Sequence, residues 1–99
     1  MKRTKSMIIA PSEEARELML FVANTEVMYN KAKYIVNALK KHYKRGNYSA
    51  DRAVDAYYNV VTEAAKLYKK WYDGDFSVTD RFNAAVELEE YFREDVEEV

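Results

Sequence analysis

Cysteine is absent from this 99-residue chain, and it has only one proline, one histidine and two glycines. Without cysteine there is no disulfide and no thiolate metal ligand, so we expect a reducing compartment, the cytoplasm. Two glycines leave little room for hairpins, whereas the abundant Ala, Glu, Lys, Leu and Tyr favour helices. No apolar run approaches the length of a membrane span, so we expect no membrane contact. The composition predicts a small all-α domain.

The patterns that enzymes and metal sites require are also missing. His42 has no Asp or Glu three or four residues away, which a metal-binding helical pair would provide. Gly46 and Gly74 each stand alone, so no glycine-rich loop can hold a phosphate. We therefore predict a protein that is not an enzyme and that has no catalytic residue, no metal ligand and no cofactor.

The segment between the two glycines organises the predicted fold. Ser49 is suited to cap the start of a helix, and Gly74 is suited to follow its end. The apolar residues cover roughly 200° of the helix surface, about twice the arc that one neighbour needs. They form two adjoining seams, which comprise Val54, Tyr57, Tyr58, Val61, Ala64, Ala65, Tyr68, Trp71 and Tyr72. We expect this helix to lie between two others, with its aromatic residues in the core.

The predicted fold is an antiparallel three-helix bundle with a long first helix. One heptad seam runs from Ala15 to Tyr43, which favours a continuous helix. Asn24 and Thr25 are the only candidate break, and the alternative is a fourth helix that folds back over the bundle. In the last helix, glutamates such as Glu87 and Glu89 lie off the apolar stripe and should face solvent. At the start of that helix, Ser77 and Asp80 should form a capping box. The domain comprises residues 12–99, with helices at about 12–45, 50–73 and 78–97, after a basic, partly apolar tail at 1–11.

Charge divides the chain into two halves. Residues 1–50 carry ten Lys or Arg and four acids, a net charge of +6, and residues 51–99 carry six against thirteen, a net charge of −7. The alternative function is nucleic-acid binding, because cations can neutralise phosphates. In an antiparallel bundle the acidic end of the last helix would lie beside these cations and weaken such binding. The candidate contacts are Lys40, Lys41, Lys44 and Arg45.

The leading functional prediction is protein binding. A long first helix would extend past the other two, so residues 12–23, which include an all-round apolar stretch, would lack cover. A second apolar stripe lies on the back of the helix. We predict a homodimer or higher homo-oligomer that also binds a protein target. The candidate interface residues are Leu18, Leu20, Phe21, Val22, Val27 and Tyr34. A third hypothesis is a small ligand in a cavity lined by Tyr57, Tyr68 and Trp71.

The second half of the chain resembles a group of known proteins. The segment from Tyr57 to Tyr68, followed by Phe76, Ser77, Val78 and Arg81, resembles small all-helical accessory proteins encoded by tailed bacteriophages. The shared pattern is largely heptad spacing, and it contains no catalytic or binding motif. The resemblance implies a protein that acts by binding and obstructing a host component.

Overall fold

A computed structural model describes residues 13–98, and that part of the chain consists of four α-helices with no β-strand. The helices are α1 (Glu13–Asn24), α2 (Glu26–Lys44), α3 (Ala50–Tyr72) and α4 (Val78–Glu97). The all-α prediction is confirmed. The predicted tail at 1–11 lies outside the described residues.

The favoured prediction of one continuous first helix is wrong, because the helix is interrupted at Thr25. This residue has an extended backbone, with φ −106° and ψ 114°, and its side chain makes no capping hydrogen bond. Local capping by the Thr25 side chain therefore does not stabilise the break. It lets α1 fold back, so that Ala15, Leu18 and Val22 are all 0% exposed. Burying these apolar side chains favours the turned arrangement, and residues 13–24 do not extend beyond the bundle.

The four helices share one hydrophobic core, and each helix contacts the other three. Val61 and Ala64 on α3 are fully buried at its centre. The ring of Tyr57 on α3 stacks on that of Phe92 on α4, with centroids 5.9 Å apart and planes at 25°. An ion pair of 3.3 Å joins Lys31 on α2 to Glu63 on α3. Together with the short loop between these helices, the position of that pair indicates that α2 runs antiparallel to α3.

The predicted caps are present at two helix starts. The Ser49 side-chain oxygen accepts a hydrogen bond of 3.4 Å from the Arg52 backbone N–H at the start of α3. At the start of α4, Ser77 and Asp80 form the expected reciprocal capping box, with distances of 3.0 and 3.3 Å. These bonds satisfy N–H groups that have no partner inside the helix.

The end of α3 differs from the prediction by one residue. Asp73, not Gly74, adopts the left-handed conformation, with φ 60° and ψ 38°. Gly74 instead lies against the ring of Tyr68, where an added Cβ would be 3.0 Å from Cε1. A side chain at position 74 would therefore require the Tyr68 ring to shift slightly, and the conformational strain falls on the aspartate.

Two glutamates of α4 that were expected to face solvent are buried. Glu87 and Glu89 are only 7% and 2% exposed. Arg16 Nε on α1 donates a hydrogen bond of 2.7 Å to Glu87 Oε1. Glu89 accepts bonds of 2.6 Å from the Tyr48 hydroxyl and of 2.8 and 2.5 Å from the Arg93 guanidinium. Because a buried carboxylate needs such partners, these contacts tie α1 and the α2–α3 loop to α4.

The acidic end of α4 does not lie against the basic end of α2, as had been expected. Asp95 pairs instead with Lys33, near the middle of α2, at 3.5 Å. Among residues 13–98, no carboxylate lies within ion-pair distance of Lys40, Lys41, Lys44 or Arg45. None of the helices in this range has both the length and the apolar content needed to cross a membrane.

Candidate protein interface at an aromatic groove

An open groove lies where the α1–α2 junction meets the C-terminal end of α3. Its volume is about 740 Å³. We call it the aromatic groove; its lining consists of Glu17, Leu20, Phe21, Asn24, Thr25, Glu26, Tyr68, Trp71 and Tyr72. Because the chain reverses at Thr25, residues from both sides of the break line the same groove.

The ring of Phe21 is the centre of the aromatic packing. It is half-buried and contacts three rings of α3 edge to face. The centroids of Tyr68, Trp71 and Tyr72 lie 5.2, 5.6 and 6.2 Å from that of Phe21. Edge-to-face pairs at these distances are favourable, because the positive edge of one ring meets the negative face of another.

The outer part of the groove is apolar and exposed. Trp71 is 53% exposed, Tyr72 is 62% exposed and Leu20 is 44% exposed. The sequence had placed Trp71 and Tyr72 in the core. They are exposed because α1 has only 12 residues and reaches the end of α3 chiefly through Phe21. Large aromatic residues with open faces at one place on the surface are typical of protein-binding sites.

The charges that line the groove are negative. Glu17 and Glu26 belong to the lining, whereas no Lys or Arg within residues 13–98 does. The Tyr68 hydroxyl donates a hydrogen bond to the Glu17 carboxylate. That bond raises the pKa of Tyr68 above its usual value, because the phenolate would lose the bond and face a negative charge. The groove thus combines aromatic faces with two carboxylates.

The structure places the six predicted interface residues in three different environments. Leu18 and Val22 are fully buried in the chain's own core. Leu20 and Phe21 line the aromatic groove. The last two, Val27 and Tyr34, lie on α2 and are 51% and 78% exposed.

Sequence reasoning missed Trp71 and Tyr72 as surface residues. Their heptad positions match those of core residues, so periodicity alone could not separate them. No signal in the sequence separated them, because their exposure depends on where α1 lies and ends, which only the structure shows. The three residues of the predicted ligand cavity do not line one space: Tyr57 is buried against Phe92, whereas Tyr68 and Trp71 line the aromatic groove.

The basic run at the end of α2 forms a separate surface. Lys41, Lys44 and Arg45 are exposed, and Lys40 is half-buried. A second groove of about 250 Å³ lies between α2 and the start of α3, and its lining includes Tyr34, His42 and Arg52. This groove extends from Tyr34, which is 78% exposed and lies near the middle of α2, to His42 within the basic run.

Metal-binding geometry is absent from residues 13–98, where no three His, Asp or Glu side chains are grouped closely enough to hold an ion. His42 is exposed. No protein-family model matches this chain, and neither a curated protein nor a solved structure does so.

Proposed function

We propose that this protein is a non-enzymatic helical bundle that binds a protein through the aromatic groove and that self-associates by the same surface. The observation that carries the proposal is the exposure of Leu20, Trp71 and Tyr72 side by side at 44%, 53% and 62%. Aromatic residues in such a position bury large apolar areas on binding and supply much of the energy of protein interfaces.

Self-association would use an extended apolar surface. Val27, which is 51% exposed, follows directly after Glu26 of the groove. A two-fold pairing would let each copy cover the other's groove with the same residues. The resemblance to phage accessory proteins supports obstruction of a host component as the role of heterologous binding. The cytoplasm suits a chain without cysteine.

Sedimentation velocity on the wild type and two double variants tests the proposal. We expect the wild type to associate with rising concentration, and Leu20→Glu with Val27→Glu to give a folded monomer. The matched control is Val78→Glu with Phe82→Glu, because these α4 residues are also exposed, at 62% and 50%, but lie outside the groove. Circular dichroism checks that helicity is retained in all three.

Trp71 gives a second measurement on the same samples. It is the only tryptophan, so its emission reports on the groove directly. Association through the groove should shift the emission to shorter wavelength as concentration rises, because the indole leaves water. A wild type that remains monomeric contradicts self-association. An oligomer lost only in the α4 control would place the interface on α4 instead.

Nucleic-acid binding is the second candidate function. The observation that favours it is that no carboxylate of residues 13–98 pairs with Lys40, Lys41, Lys44 or Arg45, since Asp95 near the end of α4 meets Lys33 instead. These cations could contact phosphates, and Tyr34, which is exposed near the middle of α2, could stack on a base. The salt dependence of DNA affinity separates this function from the first.

A further inference from the structure

Three rings of the aromatic groove are mutually perpendicular. The planes of Phe21 and Trp71 meet at 77°, those of Phe21 and Tyr72 at 85°, and those of Trp71 and Tyr72 at 79°. The corresponding centroids are 5.6, 6.2 and 6.3 Å apart. Two of the rings, Trp71 and Tyr72, are more than half exposed, so a ligand can reach them.

These pairs pack edge to face, so the edge of one ring meets the face of its neighbour. Trp71 and Tyr72 nevertheless keep more than half of their surface exposed. An aromatic ring attracts a cation that lies over its face within about 6 Å of the centroid, whereas a neutral side chain gains nothing from that attraction.

The charges around the rings favour a cation as well. Glu17 and Glu26 line the groove. The nearest lysines along α3 do not occupy it: Lys69 pairs with Asp75 at 2.9 Å, and Lys70 lines a different groove beside Val27 and Leu67. Carboxylates beside exposed ring faces raise the affinity for a positive ligand and oppose a negative one.

We propose that the aromatic groove takes the cationic side chain, lysine or arginine, of its protein partner, with the charged group against the exposed rings of Trp71 and Tyr72. This inference depends on the proposed protein-binding function and specifies its chemistry. The open shape of the groove, at about 740 Å³, leaves room for the residues that flank the cation in a peptide. Leu20 provides apolar contact for the stem of the side chain.

Titration with blocked tripeptides tests the proposal on the full-length chain. The probes are acetyl-Ala-Lys-Ala-amide, its trimethyl-lysine analogue and the norleucine analogue, which has a similar shape but no charge. Trp71 emission and backbone amide chemical shifts of α1 and α3 report binding. We expect both cationic peptides to bind about three- to tenfold more tightly than the norleucine peptide, the range that cation–π attraction at partly exposed rings supports.

Two variants identify the groups responsible. Tyr72→Leu removes one ring face, and Glu26→Gln removes one charge, while both keep Trp71 as the reporter. Each should weaken the cationic peptides at least twofold and leave the norleucine peptide unchanged. The matched control is Tyr91→Leu, because Tyr91 is also exposed, at 55%, but belongs to α4 outside the groove. It should alter no affinity.

Each outcome has a separate meaning. Equal binding of lysine and norleucine peptides would show that the rings offer only apolar contact, which overturns this inference and leaves the proposed protein binding intact. Tighter binding of free tetramethylammonium than of either cationic peptide would assign the site to a small cation and overturn the protein source. If no probe shifts the Trp71 emission or the α1 amide resonances, the cation-binding inference is also overturned. The proposed protein-binding function is contradicted by a different result, namely sedimentation and emission measurements that show no association.

Discussion

Val61 is the residue whose replacement tests the packing of α3 most directly. Its side chain is 0% exposed, at the centre of the longest helix. Val61→Asp would place a carboxylate in the hydrophobic core, so we expect a loss of about 3 kcal/mol or more in unfolding free energy. Asn59→Asp adds the same charge at an exposed position of α3 and serves as the control. Equal urea midpoints for the two variants would contradict the central position of Val61.

Glu89 gives the fold a dependence on pH. Burial alone raises the pKa of this carboxyl, but the hydrogen bonds from Arg93 and Tyr48 and the charge of Arg93 lower it by more, so its pKa lies below the ordinary 4.5. Because the folded pKa is below the unfolded one, the stabilisation is complete above about pH 4.5 and is lost as the pH falls through the folded value.

Glu89→Gln removes this titration. We expect the variant to be less stable than the wild type at neutral pH, and to lose unfolding free energy less steeply below about pH 4.5. Urea unfolding at a series of pH values measures both quantities. Glu90→Gln, at the exposed neighbouring position, should keep the wild-type slope. If the unfolding free energy of the Glu89 variant falls with decreasing pH as steeply as that of the wild type, other carboxylates dominate acid unfolding.

At the scale of the elements, the residue that ends α3 is unfavourable for stability and can be replaced by a better one. Asp73 has a positive φ of 60°, which costs a non-glycine residue energy, and it places a negative charge at the negative end of the helix dipole. Asp73→Gly should therefore stabilise the protein by about 1 kcal/mol. Asp73→Asn removes only the charge and should give part of that gain. A melting temperature lowered by the glycine would show that Asp73 has a favourable contact.

At the scale of the whole molecule, the uneven distribution of charge along the chain allows a measurement that separates the two candidate functions. The basic run at the end of α2 should attract single-stranded DNA only weakly near 0.15 M salt, and the affinity should fall steeply as salt increases. Changing Lys41 and Lys44 to Gln should reduce both the affinity and its salt slope. Fluorescence polarisation of a labelled oligonucleotide measures these quantities.

A matched change at the acidic end completes that test. Since α4 ends beside the middle of α2, changing Glu97 and Glu98 to Gln should leave the affinity for DNA unchanged. An increase would restore the earlier expectation that the acidic end neutralises the basic run. Tight binding by the wild type at 0.15 M salt would make nucleic-acid binding the primary function.

The sequence by itself determined the features that depend on nearby residues. The predicted caps at Ser49 and Ser77 are confirmed. They were predictable because a capping bond joins residues only three positions apart. The inward face of α3 at Val61 was also predictable, since helical periodicity places residues seven apart on one side. The all-α class follows from composition and period in the same way.

Only the tertiary structure decided the features that depend on where another helix lies and ends. The break at Thr25 has no capping bond, and it is favoured by the apolar area that α1 buries against α3 and α4. Glu89 is buried because Tyr48 and Arg93 can reach it. Trp71 has a core spacing but is exposed, because no described helix extends over it. Heptad position specifies a direction around a helix, and the position and length of the neighbouring helix determine whether that direction leads to the core or to solvent.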